Sequence, residues 1–203
     1  MYAIVDVSCL RQRGGDLTTN VLAFARELAA GGVTLLQYRN KDGSGREILS
    51  HARELKRSLP PEVRLIMNDR ADLCRAAAFA GVHIGQDDLS PEAARAVIGP
   101  DLILGVSTHN PEQLRAADAS PANYVAIGPV FTTGSKANPD PVVGVEGVRR
   151  ARALTRKPLV AIGGITLENF RSVLEAGADS AAVISALLPS PRAAAQQFLA
   201  LRR

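Results

Sequence analysis

Two aspartates, Asp69 and Asp88, each follow a short apolar run at the point where the run gives way to polar residues. Carboxylates are typical ligands of Mg²⁺, which usually takes one or two of them and fills its other positions with waters and substrate phosphate oxygens. An aspartate in such a place can also cap a helix or face solvent. The pair therefore predicts a Mg²⁺ site if the two runs are neighbouring strands, and the capping alternative stays open.

Three basic residues accompany these carboxylates. Arg39 and Lys41 follow another apolar run directly, and Lys136 lies in a long connection further along the chain. Arginine can hold two phosphate oxygens at once, and lysine adds a compact positive charge. Lysine and arginine most often serve as surface charge. Three of them beside two carboxylates nevertheless favour a site for a diphosphate that leaves as an anion.

A second anion site is indicated by Gly163 and Gly164, at the end of the run LVAIG, and by Ile184 and Ser185, at the end of the run AAVIS. Glycine allows a backbone to approach a ligand closely, and outward-pointing N–H groups attract an anion. A glycine pair alone is more often a tight turn. Its place after the seventh of eight apolar runs is one where barrel enzymes often bind phosphate. Two phosphate sites suit the joining of two phosphorylated molecules.

Eight short apolar runs with helix-compatible sequence between them organise the chain. Such runs are typical of parallel strands buried on both faces. The predicted strands are 2–6, 34–39, 64–68, 82–85, 102–107, 124–128, 159–163 and 181–185. We predict an α/β protein, a (β/α)₈ TIM barrel in a single domain over 1–203, with an open doubly wound sheet as the alternative. In a barrel the carboxyl ends of all strands meet on one rim, which would bring the residues above together.

Helix boundaries are also visible in the sequence. Starts are predicted at Asp16 and Thr18, Ser44, Ser90 and Asn110, the last two followed by proline, and stops at Gly31-Gly32, Gly81, Gly99 and Gly177. One connection, from Pro129 to about Gly144, is long for a barrel loop. Loops of this length often cover a site, and we expect this one to do so.

Composition excludes several other classes of protein. The net charge of +4 invites a nucleic-acid partner, but there is no tryptophan, aromatic residues are 4%, and Arg149, Arg150 and Arg152 cluster on one predicted helix as a solvated face. No apolar stretch reaches the roughly 20 residues of a membrane span, so a cytoplasmic location without a membrane partner is expected. Cys9 and Cys74 form no metal-binding or disulfide pattern and are predicted to be reduced packing residues.

Seven motifs, in chain order, resemble those of the thiamine phosphate synthase family. They are QYRNK (37–41), MNDRADL (67–73), GVHIGQDDL (81–89), LGVSTH (104–109), GPVFTTGSK (128–136), VAIGGI (160–165) and AVIS (182–185). The motifs extend over nearly the whole chain. One motif alone is a weak signal, but seven with compatible spacing are specific.

The resemblance implies a transferase that couples 4-amino-2-methyl-5-(diphosphooxymethyl)pyrimidine with 4-methyl-5-(2-phosphooxyethyl)thiazole to give thiamine phosphate and pyrophosphate. It implies a dissociative reaction, in which pyrophosphate departs first and the thiazole nitrogen attacks the pyrimidine cation. Mg²⁺ would be bound by Asp69 and Asp88. The diphosphate substrate would be held by Gln37, Arg39, Lys41, Asn68, Ser107 and Lys136, of which Arg39, Lys41, Ser107 and Lys136 act in catalysis. The thiazole phosphate would be held by Thr133, Gly134, Ser135, Gly164, Ile184 and Ser185.

Two other functions remain as alternatives. A thiazole tautomerase-like relative would share the barrel and the thiazole phosphate pocket but lack the metal and diphosphate residues, which this chain keeps. A non-catalytic sensor would bind phosphate ligands without turnover, and only Asn40, where an acidic residue is common in the family, points that way. The histidines at 51, 83 and 109 are left out of the catalytic set, because ionisation of the substrate needs no protein nucleophile. A homo-oligomer is left open.

Overall fold

The computed structural model describes residues 1–133 and 140–201. Parallel strands close into a barrel in sequence order, with β8 returning to pair with β1. The strands are β1 (Tyr2–Asp6), β2 (Leu35–Arg39), β3 (Arg64–Asn68), β4 (Gly81–Ile84), β5 (Ile103–Thr108), β6 (Tyr124–Ile127), β7 (Leu159–Ile162) and β8 (Ser180–Val183). The predicted (β/α)₈ barrel is confirmed, and the open sheet is excluded.

Helices lie between the strands and cover the outside of the barrel. They are α1 (Val7–Arg11), α2 (Leu17–Ala30), α3 (Gly45–Ser58), α4 (Ala71–Ala76), α5 (Pro91–Ile98), α6 (Pro111–Ala119), α7 (Gly144–Leu154), α8 (Phe170–Glu175) and α9 (Pro191–Ala200), with a 3₁₀ turn at Ser185–Leu187. In α3, for example, Ile48, Ala52 and Leu55 are buried at helical spacing and face the barrel. None of the described helices is long and apolar enough to cross a membrane.

Side chains fill two layers because each strand is buried on both faces. Outward-facing residues pack against the helices in one large core, and a smaller inner cluster fills the barrel. The inner cluster consists of Tyr2, Ile4, Ile66, Tyr124, Ala126, Val160 and Ala182. It forms a packed floor beneath the carboxyl-terminal rim, so any ligand must bind above it.

Most predicted helix starts are confirmed by their capping bonds, including those of Asp16, Ser44, Ser90 and Asn110. Thr18 lies inside α2. The prediction that Gly81 ends a helix is wrong, because Gly81 is the first residue of β4. A Cβ on Gly81 would lie 2.2 Å from the carbonyl oxygen of Ile103, so this glycine permits two strands to approach.

Gly105 on β5 makes room for the ring of Tyr124 inside the barrel. A Cβ there would lie 2.0 Å from Tyr124 Cζ. We expect Gly105→Ala to lower the free energy of unfolding by about 2 kcal/mol, because overpacking displaces the ring. Gly45→Ala is the control, since the nearest side-chain atoms lie 4.0 Å away and alanine favours the helix. Urea unfolding of both variants checks this, and equal stabilities would contradict it.

Candidate active site

A cavity of about 870 Å³ opens at the carboxyl ends of the strands. It is lined by each predicted site residue in the described part of the chain: Gln37, Arg39, Lys41, Asn68, Asp69, Asp88, Ser107, Thr133, Gly164, Ile184 and Ser185. The remaining three, Gly134, Ser135 and Lys136, lie outside the described residues. Residues separated by up to 148 positions in the sequence are therefore brought together, because the rim collects the ends of all strands.

The two predicted metal ligands meet at this rim. Asp69 follows β3 with a φ of 61°, and its Oδ2 lies 2.9 Å from Lys41 Nζ. Asp88 accepts a hydrogen bond of 2.7 Å from the Gly85 amide. Burial raises the pKa of Asp88 above its ordinary value, and a hydrogen bond with Asp69 raises it further. Two carboxylates held this close repel each other unless a proton or a cation lies between them.

The helix-capping alternative for these aspartates is wrong. The N-cap of α4 is Arg70, and the N-cap of α5 is Ser90. Within the described residues no group of three or more histidine, cysteine or acidic side chains forms a metal cage. Mg²⁺ rarely uses such a cage and typically binds one or two carboxylates together with substrate phosphates. The carboxylates of Asp69 and Asp88 match this typical Mg²⁺ ligand set.

Arg39 is fixed in place by Asp6, a residue that the sequence analysis did not single out. The Arg39 guanidinium donates to Asp6 Oδ2, and the Asp6 side chain is 2% exposed. Asp6 also accepts from the Ser8 amide at 3.0 Å and so caps α1. The end of β1 thus holds the arginine at the rim, and the other guanidinium nitrogens remain to bind an anion.

The glycine pair after β7 adopts backbone conformations that favour glycine. Gly163 and Gly164 have φ values of 99° and 64°. A Cβ on Gly164 would lie 2.5 Å from the carbonyl oxygen of Thr132, so a side chain would displace the loop beside it. That loop starts along β7, where Phe131 N donates to Gly163 O at 3.0 Å. The pair therefore forms a close backbone surface against the cavity, as expected for an anion site.

The long connection begins and ends beside this surface. No helix or strand occurs in its described residues, 128–133 and 140–143, as predicted. Its two ends are joined by backbone bonds, from Val143 N to Pro129 O at 2.9 Å and from Gly144 N to Val130 O at 3.2 Å. His109 adds a bond to the carbonyl oxygen of Gly128 at 2.5 Å. The base of the connection is thus fixed at the cavity edge.

Beneath the cavity a continuous set of hydrogen bonds crosses the barrel interior. We call it the interior chain, and its members in order are Gln37, Tyr2, Tyr124, His83 and Ser107. The four bonds measure 2.8, 3.0, 2.8 and 2.8 Å. Both end residues, Gln37 and Ser107, are predicted to contact substrate. Sequence reasoning placed His83 in a strand as a hydrogen-bonded structural residue, which its two bonds confirm. It missed Tyr2 and Tyr124, because strands buried on both faces do not reveal which side chains point inward.

His83 in the interior chain has an unusual titration. Burial lowers the pKa of His83 from 6.5 to about 4, and the charge of Asp88 opposes this shift. In the unfolded chain His83 is therefore protonated near pH 6.5, whereas in the folded chain it is protonated only near pH 4. The stability that neutral His83 contributes to the folded state is therefore complete above pH 6.5. As the pH falls towards 4 this contribution is lost, and the free energy of unfolding decreases by up to about 3 kcal/mol.

We expect His83→Gln to weaken the dependence of stability on pH. The variant removes the group whose protonation favours unfolding between pH 6.5 and 4. Urea unfolding of both proteins at a series of pH values measures the two slopes. The loss of stability on acidification should be smaller in the variant, and parallel slopes would show that His83 does not carry this effect.

Comparison with known proteins agrees with this site. A sequence profile described as thiamine monophosphate synthase matches residues 2–187. A thiamine-phosphate synthase of Koribacter versatilis is 65% identical over 199 residues, covering 98% of this chain and 93% of that protein. One from Azorhizobium caulinodans is 41% identical over 192 residues, covering 94% and 88%. The structure of a thiamine phosphate pyrophosphorylase from Pyrococcus furiosus superimposes with a TM-score of 0.83 at 32% identity, covering 98% and 93%.

These matches extend over nearly the full length of both partners and exceed what a shared barrel alone would produce. Other barrel enzymes, such as a 3-hexulose-6-phosphate synthase, superimpose with a TM-score of 0.68 at only 20% identity, which is a likeness of fold. The resemblance predicted from the seven motifs is confirmed. The chain therefore belongs to the thiamine monophosphate synthase family of transferases.

Proposed function

We propose that this chain joins an aminopyrimidine diphosphate to a thiazole phosphate, forming thiamine phosphate and releasing pyrophosphate. The observation that carries this proposal is the arrangement of the cavity. A cationic and acidic side, with Arg39, Lys41, Asp69 and Asp88, shares one space with a backbone side at Gly164. One side suits a leaving diphosphate and the other a phosphate that stays attached to its molecule.

The diphosphate side is prepared for an anion before any substrate binds. Lys41 contacts Asp69, and Arg39 contacts Asp6, so each cation already has an orientation. Fixed charges of this kind stabilise a negative charge that grows in the transition state, because they need no reorganisation. We propose that Arg39 and Lys41, together with Lys136, stabilise the departing pyrophosphate, and that Asn68 helps to position it.

Asp69 and Asp88 would hold Mg²⁺ on the same side. When bound, the ion would neutralise charge on the phosphate oxygens of the diphosphate. The two carboxylates of this chain would orient it from the ends of β3 and β4, and Lys41 would keep Asp69 in place. Since the C–O bond breaks first in this dissociative scheme, no side chain has to act as a nucleophile.

The thiazole phosphate would bind opposite, at Gly164, Ile184 and Ser185 with Thr133, and at Gly134 and Ser135. The glycine backbone would approach closely enough to donate to phosphate oxygens, and the bound phosphate would fix the direction of the thiazole ring. Holding both molecules in one cavity makes the second step effectively intramolecular. The ring nitrogen of the thiazole then attacks the methylene carbon that pyrophosphate has left.

A tautomerase-like function is not favoured by any feature of the site. Such a protein has no need of the diphosphate side, whereas here that side is built from residues of several strand ends, including the buried pair Arg39 and Asp6. A non-catalytic sensor rests on Asn40 alone. The Asn40 side-chain amide donates to the Tyr38 hydroxyl at 3.2 Å and to Glu47 Oε1 at 3.1 Å. Because Glu47 lies on α3, Asn40 contacts the helix that covers the outer face of β2.

Genetic complementation tests the proposal in a cell. A bacterium that lacks its own thiamine-phosphate synthase should grow without added thiamine when it expresses this chain. It should not grow when it expresses a Gly164→Val variant, whose side chain would enter the space of the Thr132 carbonyl. Absence of growth with the folded, unaltered chain would contradict the proposed reaction.

A further inference from the structure

The turn after β7 holds its carbonyl groups on the protein and directs an amide towards the cavity. Gly163 O accepts from Phe131 N at 3.0 Å, and Gly164 O accepts from Asn169 Nδ2 at 2.9 Å. In a trans peptide unit the C=O and the N–H that follows it point in opposite directions. Asn169 does not line the cavity, whereas Gly164 and Ile165 do. Because the Gly164 carbonyl faces Asn169, the Ile165 N–H faces the cavity.

The amides of this turn are available to a ligand. Within residues 1–133 and 140–201, neither the Gly164 nor the Ile165 N–H donates to a backbone or side-chain acceptor. Ile165 is only 4% exposed, and the amides of buried residues are nearly always paired in native structures. Successive backbone amides in a turn form concave sites for anions. A phosphate oxygen in the cavity is therefore a suitable acceptor for the Ile165 amide.

Asn169 uses its side chain on this turn and not on the helix that it precedes. It is the N-cap of α8, a position from which asparagine usually accepts an amide of its own helix. Among the described residues its side chain makes no such capping bond. Instead its Oδ1 accepts from Thr166 N at 2.8 Å, while its Nδ2 donates to Gly164 O. One side chain thus fixes the peptide units on both sides of Ile165.

We propose that Asn169 is a positioning residue for the thiazole phosphate, because it directs the Ile165 N–H at the phosphate group. This inference rests on the proposed function for the identity of the ligand. The Gly163 carbonyl is held by a backbone amide, so only the Gly164 carbonyl depends on a side chain. Without Asn169 the peptide unit between Gly164 and Ile165 is free to rotate. Binding then has to order the donor, which lowers affinity.

The test compares Asn169→Ala with Asn110→Ala. Both remove an asparagine that precedes a helix on the same rim and whose Oδ1 accepts a backbone amide, at 2.8 Å in Asn169 and 2.9 Å in Asn110. Asn110 does not line the cavity. The measurement is steady-state kinetics with saturating Mg²⁺, in which each substrate is varied in turn.

We expect KM for thiazole phosphate to rise about tenfold in Asn169→Ala, as for the loss of one hydrogen bond to a charged group. KM for the aminopyrimidine diphosphate should stay within about twofold, because that substrate binds on the other side of the cavity. The value of kcat should change little, since the thiazole phosphate group does not react and its binding is lost equally in the ground and transition states. Asn110→Ala should change none of these constants.

A second variant and a spectroscopic measurement complete the test. Asn169→Asp keeps the acceptor for Thr166 N but replaces the donor to Gly164 O, so it should raise the same KM, and it serves if the alanine variant does not fold. In the ¹⁵N-labelled unaltered protein, inorganic phosphate should shift the Ile165 amide proton downfield, and this response should be much smaller in the Asn169 variants.

Four results would overturn the inference: an unchanged KM for thiazole phosphate in the folded Asn169 variants, an equal rise in both KM values, an equal rise in Asn110→Ala, or an Ile165 amide that does not respond to phosphate. An unaltered protein that forms no thiamine phosphate would instead overturn the proposed function. The response of the Ile165 amide to inorganic phosphate would still test the role of Asn169.

Discussion

An Asp69→Asn variant should lose about 10³-fold in the rate of coupling while it binds thiazole phosphate as tightly as the unaltered protein. Asparagine keeps the shape of the side chain and tolerates the φ of 61°, whereas alanine would add backbone strain. The substitution removes one of two carboxylates from the proposed Mg²⁺ site. Gly164 and Ser185 lie on other strand ends, so the thiazole phosphate side should be unaffected.

Asp72→Asn is the matched control for this variant. Asp72 lies three positions after Asp69 in the sequence, is exposed and forms an ion pair with Arg70. It does not line the cavity. Its coupling rate should remain close to that of the unaltered protein, because exposed ion pairs contribute little. Steady-state kinetics measures the rates, and titration calorimetry measures thiazole phosphate affinity. A parallel loss of that affinity in Asp69→Asn would contradict the separation into two sides.

Arg39→Gln should reduce both coupling and stability. Removing the guanidinium leaves the carboxylate of Asp6, whose side chain is 2% exposed, without its cationic partner. Breaking a buried pair in this way costs about 3 kcal/mol of unfolding free energy. The loss of a fixed donor to the leaving group should slow coupling by about 10²-fold. Urea unfolding and steady-state kinetics measure the two effects.

The double variant Asp6→Asn/Arg39→Gln separates these effects. With no charge left on residue 6, the protein should regain much of its stability, because the unpaired buried carboxylate is gone. Coupling should stay slow, since the cation that faces the diphosphate is still missing. Recovery of activity together with stability would mean that Arg39 acts only by holding the end of β1.

The barrel was predictable from sequence because its strands need apolar residues on both faces. Runs such as YAIVD and RLIMN are short and rich in apolar residues, and both gave strands with the predicted bounds. The predicted ends of other strands shifted by one or two residues. The short helix α1 was missed, since its cap, Asp6, is also the last residue of β1.

The site was only partly predictable. Polar residues at strand ends identified the rim, because parallel strands bring their carboxyl ends together. The role of Asp6 was missed although its run also ends in an acidic residue, because the sequence does not show the register of β1 and β2 that places Asp6 beside Arg39. Tyr2 and Tyr124 were missed because continuous burial conceals the inward face of a strand. Gly81 was misassigned because glycine serves helix ends and close strand contacts equally well.

The measurement that tests this account most directly is the stoichiometry of product formation by the purified protein. The assay supplies the aminopyrimidine diphosphate, thiazole phosphate and Mg²⁺, and each component is omitted in turn. We predict that thiamine phosphate and pyrophosphate form in equal amounts in the complete mixture, and that no thiamine phosphate forms when any component is left out. Failure to form thiamine phosphate in the complete mixture, by a protein that binds thiazole phosphate, would contradict the account.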